Sequence, residues 1–201
     1  MQRRLLQRYP GNRKLVLMFL GWAATPADVA HIPFPAEYDV LVCHGYRTRP
    51  MAWAAEEFAG YEQIYLFAWS FGVWVAEQCC PALPLRRAVA LNGTPFPVSE
   101  EYGMRLRPAL RAARAMLRTA PEPGLPTPQE RLDEITRLAA WAEECSAARL
   151  RWDAALLADA DEMFPPARLQ AYWQPLGVAM VYHGTHNPFD EPKRILDWLD
   201  A

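Results

Sequence analysis

The sequence predicts an α/β fold, a mostly parallel, doubly wound sheet interrupted late in the chain by a helical insertion. Three observations support this. Six short apolar runs read as strands buried on both faces. Helix-compatible segments separate the early runs, as βαβ units require. Between the fourth run and the fifth lie about sixty residues of different, helical character.

The runs are LVLMFL (15–20), YDVLVC (38–43), QIYLFA (63–68), RAVALN (87–92), AALLA (154–158) and GVAMVYH (177–183). The intervening segments 26–30, 51–58 and 71–80 are expected to be helical. Nineteen prolines break the chain into short elements and exclude a long helical bundle. Ahead of the first run, MQRRLLQRYPGNRK is basic and lacks the apolar stretch of a signal peptide. LVLMFLGWAA is too short to span a bilayer. A cytoplasmic protein without membrane attachment is the expectation.

Within the insertion, residues 108–120 read as one helix with a proline in its first turn. PEPGLPTP (121–128) is a breaker-rich linker. Thr127 then has the character of an N-cap, with Glu130 three residues on completing a capping box. Leu132, Ile135, Leu138, Ala139, Ala142 and Cys145 follow at helical spacing. The division expected is a core of residues 1–95 and 152–201 with a helical lid of residues 96–151.

The chain carries a net charge of −2. Residues 102–120 hold five arginines and no acid, which leaves −7 on the remainder. Such a local basic patch points to one acidic partner and excludes general nucleic-acid binding. Cys43, Cys79, Cys80 and Cys145 lack paired ligand spacing, so they are read as buried free thiols with no metal site.

The candidate chemistry begins at Ser70. It stands where the third run turns into a helix, in Ala68-Trp69-Ser70-Phe71-Gly72. A nucleophile elbow, usually G-x-S-x-G, needs this strand–turn–helix arrangement and small neighbours; a serine that merely caps the helix is the alternative. A serine nucleophile needs a base and an orienting acid, in the order Ser, Asp, His along the chain. His186 falls in the loop after the last run, whereas His183 still lies within that run. Asp159 and Asp161 both follow the fifth run, and spacing barely separates them; capping of the next helix is the alternative for both. The N–H of Phe71 and that of Trp22, in FLGWAATP, are the candidate oxyanion donors, although Gly21-Trp22 also reads as a simple turn.

FLGWAATP, YLFAWSFGVWVAE, AVALNGTPFPVSEEYGM, DEMFPPARLQAYW and HGTHNPF together resemble the BioG-type family of pimeloyl-carrier-protein methyl ester esterases, small α/β-hydrolases of biotin synthesis. The resemblance covers almost the whole chain and is weakest around 105–150. It implies an α/β-hydrolase fold with a reduced sheet, since only about thirteen residues precede the first run, too few for the usual leading hairpin. It places the family's nucleophile on Ser70, its aspartate on Asp161 and its histidine on His186, with Trp22 as the tryptophan of the first loop. It tolerates Ala68. The implied substrate is a pimeloyl methyl ester on acyl carrier protein, cleaved by a monomeric enzyme with no metal or diffusible cofactor. Arg107, Arg111, Arg114 and Arg118 step by four, three and four residues along one helix face. Under this reading they would receive the acidic carrier, the alternative being a solvated surface helix in a chain whose basic residues are nearly all arginine. A generic small-acyl serine esterase or thioesterase of the same fold is the alternative function.

Overall fold

Along β2, Lys14–Phe19, successive side chains point to opposite faces of the sheet, and both faces are covered. Leu15, Leu17 and Phe19 pack with Trp74 and Trp173 on one side. Val16 and Met18 pack with Val40, Phe189 and Ile195 on the other. This double burial is why the run is continuously apolar instead of alternating.

The computed structural model describes residues 1–199. Among them, one sheet has the order β1-β3-β2-β4-β5-β6-β7. The strands are β1 Gln2–Gln7, β2, β3 Tyr38–His44, β4 Gln63–Trp69, β5 Leu85–Leu91, β6 Ala154–Ala158 and β7 Ala179–Tyr182. All pairings from β3 to β7 are parallel. The six expected strands are therefore present, and the order is that of a doubly wound sheet.

Four expectations are corrected. The first residues do form a strand: β1 pairs antiparallel with β3, from Gln2 opposite His44 to Gln7 opposite Val40. Its QRRLLQ sequence carries charge because it is a largely exposed edge strand. The segments after β2 and β3 are not α-helices but short 3-10 turns, Pro26–Asp28 and Ala55–Phe58; Pro33 and Pro35 stop the first soon after it starts. The first inserted helix, α2, is Leu106–Met116, so it begins two residues before Pro108 and ends before Arg118. His183 lies just past β7, with its side chain 93% exposed.

The helix after β4, α1 (Phe71–Cys79), is buried at every residue. The inserted helices are α2 and α3, Pro128–Glu144. Thr127 caps α3 as expected: its hydroxyl accepts from the Glu130 N–H at 3.2 Å, and the Glu130 carboxylate accepts the Thr127 N–H at 2.9 Å. Helix α4 is Pro166–Trp173 and α5 is Lys193–Leu196. All four cysteines are free; Cys43, Cys79 and Cys80 are buried, and Cys145 is half-buried. Among the described residues no helix is long and apolar enough to cross a membrane.

The chain returning from α3 to the sheet is held by a buried carboxylate. Glu77 of α1 accepts the N–H groups of Arg149 at 2.6 Å and Leu150 at 2.7 Å, and the indole N–H of Trp152 at 2.7 Å. Replacing it by glutamine leaves donors without an acceptor and is expected to cost about 2–4 kcal/mol. Burial pushes the Glu77 carboxyl up from its ordinary value of 4.5, and the three donors act against that. A raised native pKa means the folded state holds its proton more tightly than the unfolded one. The contribution to stability is then complete below the unfolded value and fades as pH rises through the native value. The Tm gap between wild type and Glu77→Gln should widen as pH falls from about 7 to about 5; thermal melts across that range check it, and a narrowing gap would contradict it.

Candidate active site

Strand β4 runs directly into α1 through Ser70, whose φ of 58° and ψ of −126° are unusual for a residue with a side chain. Holding it there costs about 1–3 kcal/mol. The Ser70 N–H is held by the Leu91 carbonyl of β5 at 2.9 Å, and its own carbonyl accepts from Val73 at 3.1 Å.

Three glycines make room for this turn. A Cβ at Gly72 would lie 2.3 Å from the Phe19 carbonyl oxygen, and one at Gly93 would lie 2.3 Å from that of Ser70. One at Gly21 would meet the Ser70 Cβ at 2.9 Å and its Oγ at 3.3 Å. Ala68 is fully buried in β4. The close approaches fall on Gly21, Gly72 and Gly93, so the alanine at the head of the pentapeptide breaks no requirement of the turn.

His186 comes to this elbow through Trp69, the residue before the serine. The Trp69 indole N–H donates to the His186 carbonyl at 2.8 Å, and the two rings lie 5.3 Å apart. Phe164 also stacks with the imidazole, at 5.9 Å and 10°. Asp161, with its side chain fully buried, meets His186 Nδ1 through Oδ2 at 2.8 Å. Its Oδ1 accepts the N–H groups of Met163 and Phe164, each at 2.8 Å. A carboxylate only accepts, so Nδ1 carries the proton and Nε2 keeps its lone pair. Asp161 is thus both a turn-forming acceptor and an orienting partner for imidazole.

Asp159 pairs instead with exposed His183, at 3.0 Å to Nδ1, and accepts the Gly184 N–H at 3.1 Å. The His183 bond, followed by that backbone N–H, holds the Asp159 carboxyl below its ordinary value. Two His–Asp pairs therefore sit one after the other, and only the inner one touches the elbow.

Phe71, fully buried, is the first residue of α1, where backbone N–H groups lack a partner within the helix. Trp22 lies in the loop after β2, next in the chain to Gly21, which lies against the serine. A cavity of about 860 Å³ lies beyond this loop, lined by Arg4, Thr25, Arg47 and Arg137, and it does not include Ser70, Asp161 or His186. Arg107, Arg111 and Arg114 are exposed on α2, and Arg118 is exposed in the turn after it. None forms an ion pair among the described residues. Ala109 and Ala113 are the buried side of that helix. Leu117, just past the end of α2, is 43% exposed.

Sequence reasoning missed Asn92. Its side chain is fully buried and its φ is 44°. Nδ2 donates to the Tyr182 hydroxyl at 2.7 Å and the His186 carbonyl at 2.9 Å, while Oδ1 accepts the Ala158 N–H at 2.8 Å. One amide thereby joins the ends of β5, β6 and β7, where the acid and base loops begin. The only trace in the sequence was the segment LNGTPFP, which also supplies Gly93.

Comparisons with known proteins bear on the fold and the family. BioG from Haemophilus influenzae has a TM-score of 0.80 and 26% identity, with 94% of this chain and 95% of that one covered. Two more distant structures share the fold. A Paleococcus ferrophilus monoacylglycerol lipase has a TM-score of 0.58 and 15% identity, with 98% and 97% covered. The RedJ thioesterase of Streptomyces coelicolor has a TM-score of 0.60 and 18% identity, with 94% and 90% covered. The fold is that of the α/β-hydrolases. Among curated proteins, a malonyl-[acyl-carrier protein] O-methyltransferase of Bacteroides fragilis is 28% identical over 208 residues, which is 90% of this chain and 41% of the relative. An uncharacterised Haemophilus influenzae protein is 36% identical over 96 residues, 48% of this chain and 43% of the relative. The chain thus spans less than half the length of these two relatives. Residues 1–112 match the family model for pimeloyl-ACP methyl esterase BioG, more than half of the chain, and the protein belongs to that family.

Proposed function

We propose that this protein is a serine carboxylesterase that hydrolyses the methyl ester of a pimeloyl group carried on acyl carrier protein, releasing methanol. The observation that carries the proposal is the strained Ser70 elbow, joined through Trp69 to a His186–Asp161 pair, in a member of the BioG family.

In this reaction His186 Nε2 takes the Ser70 proton as Oγ attacks the ester carbonyl. Asp161 fixes the tautomer and stabilises the imidazolium that forms. The N–H groups of Trp22 and Phe71 hold the developing oxyanion. The imidazolium then protonates the departing methoxide, and a water activated by the same imidazole hydrolyses the acyl-serine. Residues 96–151 act as the lid over a core of residues 1–95 and 152–201. The Bacteroides fragilis relative is by its name a methyltransferase acting on a carrier-bound acyl group, which supports a carrier-bound methyl ester as the substrate here.

The carrier docks on Arg107, Arg111, Arg114 and Arg118, whose exposed guanidinium groups form no ion pair among the described residues and suit an acidic partner. Changing all four to alanine should lower kcat/KM on the carrier-bound ester about 10- to 100-fold and leave a short nitrophenyl ester unaffected. Equal losses on both esters would remove the docking role. The function itself is tested by rescue of a biotin auxotroph lacking its methyl ester esterase. Wild type should rescue and Ser70→Ala should not. Failure of wild type, with turnover of nitrophenyl esters intact, would favour a generic small-acyl esterase.

A further inference from the structure

We propose that Glu134, on the inserted helix α3, is a positioning residue for the oxyanion hole; the inference rests on the serine esterase reading above, with Trp22 as a donor.

Glu134 is 5% exposed, and its carboxylate joins two core loops. Oε2 accepts the N–H of Ala23 at 3.0 Å, and Oε1 accepts that of Tyr46 at 2.7 Å. Ala23 directly follows Trp22. It has a φ of 60°, a left-handed conformation that is unfavourable for a residue other than glycine. Such a conformation persists only where the surroundings over-determine it, and the hydrogen bond to Glu134 is the restraint on that residue. One turn earlier on α3, the Arg131 carbonyl accepts the Trp22 indole N–H at 2.6 Å. Backbone and ring of the 22–23 pair are thus both fastened to α3.

The other side of the loop is fixed by the core. Gly21 lies against Ser70, and the Leu20 carbonyl accepts the Tyr46 hydroxyl at 2.6 Å. The direction of the Trp22 N–H is set by the peptide between these two anchors. Burial pushes the Glu134 carboxyl up from its ordinary value, against the pull of its two N–H donors. A carboxylate kept in such a place needs both donors, and one of them belongs to the oxyanion loop. Helix α3 is therefore part of the catalytic framework, and not only a cover over it.

Glu77 supplies the control. It is a second buried carboxylate, on α1, and the hydrogen bonds it accepts come from Arg149, Leu150 and Trp152 on the chain that follows α3, not from residues 20–24. Glu134→Gln and Glu77→Gln are compared for Tm and for kcat and KM on a short nitrophenyl ester. Amide hydrogen exchange is followed at Ala23 and Tyr46. Glu134→Gln should lower kcat at least tenfold with KM within about twofold, because a misaimed donor fails only in the transition state. Its Ala23 amide should exchange faster. Glu77→Gln should lose Tm with kcat within about twofold. Equal kcat losses in the two variants, or an unchanged kcat in Glu134→Gln, would overturn the proposal. If Glu134→Gln does not fold, the wild type still decides: an Ala23 amide exchanging as fast as a free loop amide would overturn it. A wild type that turns over no ester strikes the esterase reading instead, and does so before any variant is made.

Discussion

Ser70→Ala is expected to lower ester turnover by about 10⁴-fold or more while the melting temperature stays close to wild type. The side chain lost is small, and its hydroxyl makes no capping hydrogen bond to α1. What holds the elbow is backbone: Ser70 N–H to Leu91, the Ser70 carbonyl to Val73, and the space left by Gly72 and Gly93. Alanine at φ 58° is somewhat worse off than serine, so a Tm loss of a few degrees is consistent with the account. A fluorophosphonate should label the wild type at Ser70 and leave the variant unlabelled. Turnover by Ser70→Ala within about tenfold of wild type would mean that another group attacks the ester.

Asp161→Asn should lower kcat by about 10³- to 10⁴-fold. The asparagine carbonyl can still accept from Met163 and Phe164, so the loop keeps its shape. Its amide, however, presents N–H to His186 Nδ1, which reverses the tautomer and occupies Nε2 with the proton. The imidazole then has no lone pair to offer Ser70. Asp159→Asn, one pair further out, should leave kcat within about twofold, since its partner His183 is 93% exposed. Measured kcat for the two variants, side by side, assigns the acid. Comparable losses would contradict the assignment of Asp161.

Whatever depends on runs of side chains was legible in the sequence. The strands β2 to β6 are apolar because both faces of the sheet are covered, whereas β7, expected to be buried as well, is an edge strand with Met180 and Val181 half exposed, and α3 announced itself through Thr127 and Glu130. The β1 strand was not legible, because an exposed antiparallel edge takes arginine and glutamine as readily as a loop does. At the site, Ser70 and His186 could be picked out from chain order and from their places just past a strand. Asp161 and Asp159 could not be separated by spacing, since they differ in what lies across space: Met163 and Phe164 N–H groups turn the first inward, and Gly184 holds the second at the surface. Asn92 and Glu134 were invisible for the same reason. A polar residue reads as exposed until the partners that bury it are known, and theirs lie as far as 94 residues away for Asn92 and 111 for Glu134.

The central claim is that Ser70 acts on the methyl ester and spares the thioester that attaches the acyl chain to its carrier. Pimeloyl methyl ester bound to acyl carrier protein, incubated with the wild-type protein, tests this directly by the products released. The expected products are methanol and a pimeloyl chain still attached to the carrier, its far carboxylate now free. Release of the acyl chain from an intact methyl ester, as a thioesterase would give, or no product at all, would contradict it.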